Sequence, residues 1–277
     1  MFDSLPKPQH DVRQTAGEGP AGDPGPALMS LQGFSASING QLLLRDLSFD
    51  LHQGEVLGLI GRAGAGKTAL LRAMCRLLDE HRGLGNTGHI LLDGADIYHS
   101  ACDLPTLRRQ LAFISQQANP FPMSIWDNIA YGVRLNRIAS TPSQVAEVVE
   151  TVLRRCLLWD DVKDVLHKIP ATKLPIQRQR LLCIARSLAI RPKVLLLDRP
   201  TGSIDRMELA LLNRLIADLK QDHTVVLVTA SLTETAHVAD RVAYLEEGRL
   251  VEIDSAEMIF TAALNQRTRD FINSTAM

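Results

Sequence analysis

Between an apolar run, Glu55 to Ile60, and a helix-patterned segment, Thr68 to Leu78, the chain carries Gly61-Arg62-Ala63-Gly64-Ala65-Gly66-Lys67-Thr68. This is the pattern G-x-x-x-x-G-K-S/T, in the strand–loop–helix context its mechanism demands. Glycines let consecutive backbone N–H groups close around phosphate oxygens. The start of the following helix adds partial positive charge. Lys67 is placed to reach the β- and γ-phosphates, Thr68 to ligate Mg²⁺, and Ala69 to extend the run of amides. A chain built around this loop must supply a buried strand before it and a helix after it, and the ligands implied are ATP and Mg²⁺.

The rest of the chain repeats that alternation. Gln41 to Leu51, His89 to Leu92, Leu111 to Ser115, Lys193 to Asp198, Thr224 to Thr229, Arg241 to Glu246 and Leu250 to Ile253 read as strands. Thr141-Pro142 reads as a helix start, with Val145, Val148, Val149, Val152, Leu153 and Cys156 on one face. Arg178 to Ala189 and Asp205 to Lys220 are further helices, the second with Leu209, Leu212, Ile216 and Leu219 inward. Strands alternating with helices predict an α/β fold with a parallel core. Residues 1–28 are rich in proline and glycine and are expected to form a disordered tail, with the fold beginning near Leu31.

Val194-Leu195-Leu196-Leu197-Asp198 supplies the second half of a nucleotide site, a buried strand ending in a carboxylate that can hold Mg²⁺ through water. A net charge of −1 gives no basic footprint for nucleic acid. No apolar run approaches the about 18 residues of a membrane span, and Met1 to Ser30 lacks the apolar centre of a secretory signal. The chain is therefore expected in the cytoplasm. Cys75, Cys102, Cys156 and Cys183 are far apart and read as reduced, mostly packed thiols.

With these motifs in place, the chain resembles ATP-binding-cassette ATPases over about residues 30–273. It looks most like the phosphate-import ATP-binding subunits, the PstB family. The run Gln116-Gln117-Ala118-Asn119-Pro120-Phe121-Pro122-Met123-Ser124 and its continuation to Leu135 carry that match, with Leu158 to Asp164, Cys183-Ile184-Ala185-Arg186 and Ile190-Arg191-Pro192. The resemblance implies a P-loop NTPase fold: a RecA-like core with an antiparallel β region, and a helical subdomain near 118–180 within a domain spanning 29–277. It implies that two such ATPase chains, identical or different, pair head to tail. Each nucleotide would then lie between one chain's phosphate loop and the other's signature motif. Gln116 would stand near Mg²⁺ and the attacking water. Transmembrane permease subunits would hold the chain at the inner face of the membrane.

Four positions depart from that family's pattern. Arg199 follows Asp198 where a water-polarising glutamate is expected, and losing such a base typically costs about 10²–10⁴ in rate. Ala230 follows Val228-Thr229 where the family has its switch histidine, and His237 lies too far along to replace it. In place of Leu-Ser-Gly-Gly-Gln stands Lys173-Leu174-Pro175-Ile176-Gln177, or the same segment shifted by one. Proline lacks an N–H, and Ile176 blocks close approach. The family's adenine-stacking aromatic is missing from its matching place near Ser37 or Ile38, although Ile38 can pack on the base. Arg199 either pairs with Asp198, points at the γ-phosphate, or has no role. Two readings follow: an importer subunit that binds ATP and hydrolyses it poorly, or a pseudo-ATPase that senses nucleotide for a permease or an intact partner.

Overall fold

The computed structural model describes residues 27–200, 206–229 and 231–275. The chain enters as a hairpin, β1 (Ala27–Ile38) and β2 (Gln41–His52), turned by Asn39 and Gly40 at φ 50° and 80°. A two-residue hairpin loop needs such left-handed backbone. β3 (Val56–Ile60), buried at every position, leads through the glycine-rich loop into α1 (Lys67–Met74). β4 (Leu84–Leu92) returns to pair with β1, and Asp93-Gly94 turns it onto β5 (Ala95–Asp96). α2 (Leu104–Gln110), capped by the Asp103 carboxylate, precedes β6 (Leu111–Ile114). Next come α3 (Ile125–Leu135), α4 (Pro142–Arg155), α5 (Trp159–Val162) and α6 (Ile176–Leu188). β7 (Val194–Asp198), α7 (Arg206–Leu219), β8 (Thr224–Val228), α8 (Leu232–Val238) and β9 (Arg241–Glu246) complete the alternation. β10 (Arg249–Ser255), α9 (Ala256–Ala262) and α10 (Gln266–Thr275) follow.

Two sheets result. One runs β10-β9-β3-β8-β7-β6, with β10 antiparallel to β9 at one edge and the other five strands parallel. The other is antiparallel, β2-β1-β4-β5. β3, β7 and β8 are buried throughout because both faces of the parallel sheet are covered. Leu196, Val226 and Val228 face α1 and the antiparallel sheet. Leu195, Leu197 and Leu227 face α3, α4, α6 and α7, where Leu212, Ile216 and Leu219 point inward. α4 starts with a full capping box, Thr141 and Gln144 each bonding the other's backbone.

Pairing begins earlier than composition suggested. Ala27 pairs with His52 and Met29 with Leu51, Met29 is fully buried, and the Leu28 carbonyl accepts from Asp93 N at 2.9 Å. Residues 27 and 28 therefore belong to the sheet and not to a tail, because Ala27 pairs with His52 and the Leu28 side chain joins the core. Residues 1–26 lie outside the described part, as does the side chain of Leu209. β4 also starts at Leu84, five residues before His89, because β1 offers it a partner as far as Ile38. The helical region around 118–180 runs on to Leu188 through the unbroken α6. Cys75, Cys156 and Cys183 are buried, and burial pushes the Cys75 and Cys156 thiols up to about 12.

Candidate functional site

The register of the parallel sheet brings the motif residues to one edge. Leu59 and Asp198 both lie opposite Val228, and Ile114 lies opposite Leu197. Gly61, Asp198, Gln116 and Thr229 therefore leave the carboxyl ends of four adjacent strands, where α/β sheets place their ligands. Gly61 has φ 145°, and a Cβ there would lie 2.2 Å from the Leu245 carbonyl oxygen. Gly66 caps α1 at φ 100°, beside the Leu43 carbonyl of β2. Arg62, Ala63 and Gly64 stand exposed, while Ala65 is buried, its carbonyl accepting from Gly248 N at 3.1 Å. The Gly66 carbonyl takes the first helical bond, from Leu70 N at 2.8 Å. The N–H groups of Lys67, Thr68 and Ala69 are left for a ligand at the positive end of α1.

Lys67 is buried, and its ammonium spans the loop by donating to the Gly61 and Arg62 carbonyls, the latter at 2.8 Å. Burial lowers its pKa to about 8; the Arg199 guanidinium adds to the fall and Asp198 opposes it. Asp198 is buried with Oδ1 lacking any hydrogen-bond partner, an arrangement that suits a metal-bound water. Thr68 is half-buried one residue beyond Lys67. Among the described residues no three His, Cys, Asp or Glu side chains could hold a metal together. Mg²⁺ fits here only if Thr68, Asp198 and the ligand's phosphates share it, as the chemistry of this donor set allows. Gln116 is exposed just past β6.

The structure decides one of the questions left open for Arg199. Among the described residues it makes no ion pair, so it does not neutralise Asp198. Its backbone is held at φ 50° by Arg199 N donating to the Val228 carbonyl at 2.8 Å, and its Nε is buried without a partner. Ala230 lies outside the described residues. His237 is exposed in the last turn of α8, away from the strand ends. Composition gave no hint of Glu234, which is buried beside the site and accepts the Thr229 hydroxyl. The signal for it was the Ser-x-x-Glu spacing from Ser231, whose hydroxyl accepts from Glu234 N at 3.1 Å.

At the signature's place, α6 begins at Ile176 with Pro175 in the capping position and no side-chain cap. Ile176 is 48 % exposed, and Arg178 is tied to Asp161 at 2.6 Å. The helix N-terminus is present, but the serine hydroxyl and the glycines that would let a second nucleotide approach are not. Ile38, half-buried at the end of β1 and paired with Gln41 and Leu84, closes the hairpin that flanks the loop through Leu43.

Beyond Gln116, the segment 119–124 is organised by one residue that sequence reasoning did not single out. Asn128 of α3 is fully buried. Its Oδ1 accepts from Phe121 N at 2.7 Å, and its Nδ2 donates to the carbonyls of Phe121, Met123 and Ser124. Arg186 lies over the Phe121 ring at 4.3 Å and donates to the Asn119 carbonyl. Behind this segment lies a cleft of about 270 Å³ lined by Arg72, Phe113, Gln117, Asn119 and Arg186. Asn128→Ala leaves the Phe121 amide without its partner and removes a second donor from three carbonyls that keep a backbone bond. It is expected to cost about 2–4 kcal/mol in urea unfolding; a loss below about 1 kcal/mol would contradict this role for the side chain.

Comparison with known proteins bears on the same residues. The family model described as ABC transporter matches residues 44–202. The phosphate import ATP-binding protein PstB 1 of Vibrio parahaemolyticus is 40 % identical over 244 residues, 88 % of this chain and 89 % of that protein. The protein of the same name from Vibrio cholerae is 39 % identical over the same shares. Among solved structures, cbiO1 from Clostridium perfringens, described as part of the ABC transporter complex cbiONQ, superposes with a TM-score of 0.74. It is 20 % identical, with 91 % of this chain and all of that one covered, and it supports the fold.

Proposed function

The chain belongs to the ABC transporter family of ATP-binding subunits, and on that premise we propose that it serves an importer of inorganic phosphate as a subunit that binds ATP and hydrolyses it poorly. The observation that carries this is the contrast at one strand edge. The phosphate loop is complete, yet the residue after Asp198 is Arg199, which makes no ion pair among the described residues, and not a carboxylate. The loop amides and Lys67 hold the phosphates, while Gln116 stands where it can sense them. When bound, Mg²⁺ would supply charge neutralisation between Thr68 and Asp198. The side chain at Arg199's position cannot take a proton from water, because a guanidinium stays protonated.

Phosphate as the cargo rests on the relatives' names and on the Asn119 to Ser124 run that Asn128 holds in shape. The cleft beside that run suits a permease segment, and attachment through it would keep the chain at the inner membrane face. Among the described residues no helix is long and apolar enough to cross a membrane. The chain would act as a dimer with itself or with another ATPase chain. A second reading, a nucleotide-sensing module that regulates a permease or an intact ATPase, is favoured by the proline and isoleucine at the start of α6.

Orthophosphate uptake by phosphate-starved cells carrying Lys67→Ala separates the two. Uptake falling with loss of ATP binding supports an energising subunit. Unchanged uptake capacity with altered control of uptake supports the sensor.

A further inference from the structure

At the end of β7 two cations and one carboxylate share a strand edge with no described ion pair among them. Lys67 reaches across the loop from α1, and Arg199 follows Asp198. Both belong to the same strand edge, since Asp198 and Leu59 share Val228 as their neighbour. The guanidinium has a partner neither in Asp198 nor in any other described carboxylate, and its Nε is buried and unbonded. Its repulsion is felt at Lys67. Like charges brought together in a partly desolvated site are unfavourable unless an anion lies between them. The first amides of α1 point to the same place. A planar donor fork matches a terminal phosphate group bidentately.

Resting on the ATP-binding reading above, we propose that Arg199 is a γ-phosphate contact that selects the triphosphate over the diphosphate and holds it with little help from Mg²⁺. In this position the side chain converts the residue that would start hydrolysis into one that retains its substrate. A diphosphate reaches Lys67 and the loop amides but leaves Arg199 unmatched, so the contact works on ATP alone. The charge it brings is of the sign that Mg²⁺ ordinarily supplies, so removing the metal costs this chain little affinity.

Equilibrium binding of ATP and ADP to the full chain, with Mg²⁺ and with EDTA, tests this in wild type and in Arg199→Asn. Asparagine removes the charge and tolerates the left-handed backbone found at this position. A charge-assisted pair of bonds predicts that wild type prefers ATP by about 10- to 100-fold in EDTA. The Asn variant should bring the two nucleotides to within about threefold, with ADP affinity unchanged. Retained ADP binding shows that the loop is folded, and Arg199→Gln takes its place if the Asn variant does not hold ADP. An ATP-to-ADP ratio that survives loss of the arginine overturns the inference while leaving ATP binding standing. Failure of the wild-type chain to bind either nucleotide overturns the ATP-binding reading, and this inference with it.

Discussion

Lys67→Ala loses both ATP and ADP, by about 10²- to 10⁴-fold in affinity measured by titration calorimetry. The estimate follows from one or two charge-assisted bonds from the ammonium to phosphate oxygens, each of about 1.5–3 kcal/mol. Binding by the variant within about tenfold of wild type would mean that the amides alone hold the phosphates. The same lysine gives the site a pH dependence. Its folded pKa, about 8, is below the ordinary value of 10.5. Between those values the unfolded chain carries more protons than the folded one, so stability rises with pH across that window. Binding runs the other way. Above about pH 8 the free loop has lost its ammonium, ATP must bring a proton back with it, and affinity falls. Lys67→Ala should flatten both trends, which unfolding and titration across pH 7 to 10 would read.

Asp198→Asn separates the metal from the nucleotide. The wild-type carboxylate is buried with one oxygen unbonded, next to the loop that gathers phosphate charge. In EDTA it repels ATP; with Mg²⁺ it orients the metal's water shell. The amide keeps the shape and removes the charge. ATP affinity in EDTA should rise, and the small gain that Mg²⁺ gives the wild-type chain should vanish, because the group that orients the metal's first shell is gone. A variant whose Mg²⁺ gain equals that of wild type would move the metal away from the end of β7.

Which parts of this site the sequence disclosed follows from how local each cause is. The loop from Gly61 to Thr68 is legible because its glycines, lysine and threonine act through backbone conformation and spacing within eight residues. The start of α4 is equally local, set by Thr141, Pro142 and Gln144. β1 was partly hidden by its proline- and glycine-rich neighbour, although Asn39-Gly40 is a strong hairpin signal. The early start of β4 was hidden because Gly85, Asn86 and Gly88 read as breakers. Only the pairing of Ile38 with Leu84 makes them strand. Asn128 resembles any polar helix residue until the 121–124 backbone folds over it. Arg199's identity could be read, but its neighbours could not. They depend on β7 lying between β6 and β8, whose Val228 carbonyl takes the Arg199 amide.

Steady-state ATP hydrolysis by the purified chain, measured beside ATP binding with Lys67→Ala as the blank, tests the central claim most directly. Saturable ATP binding is predicted, with any Lys67-dependent turnover far below an ordinary enzymatic rate. Turnover that depends on Lys67 and reaches an ordinary enzymatic rate of about 1–10 per second would contradict it, because Arg199 and the start of α6 would then support chemistry that their side chains are not built to perform.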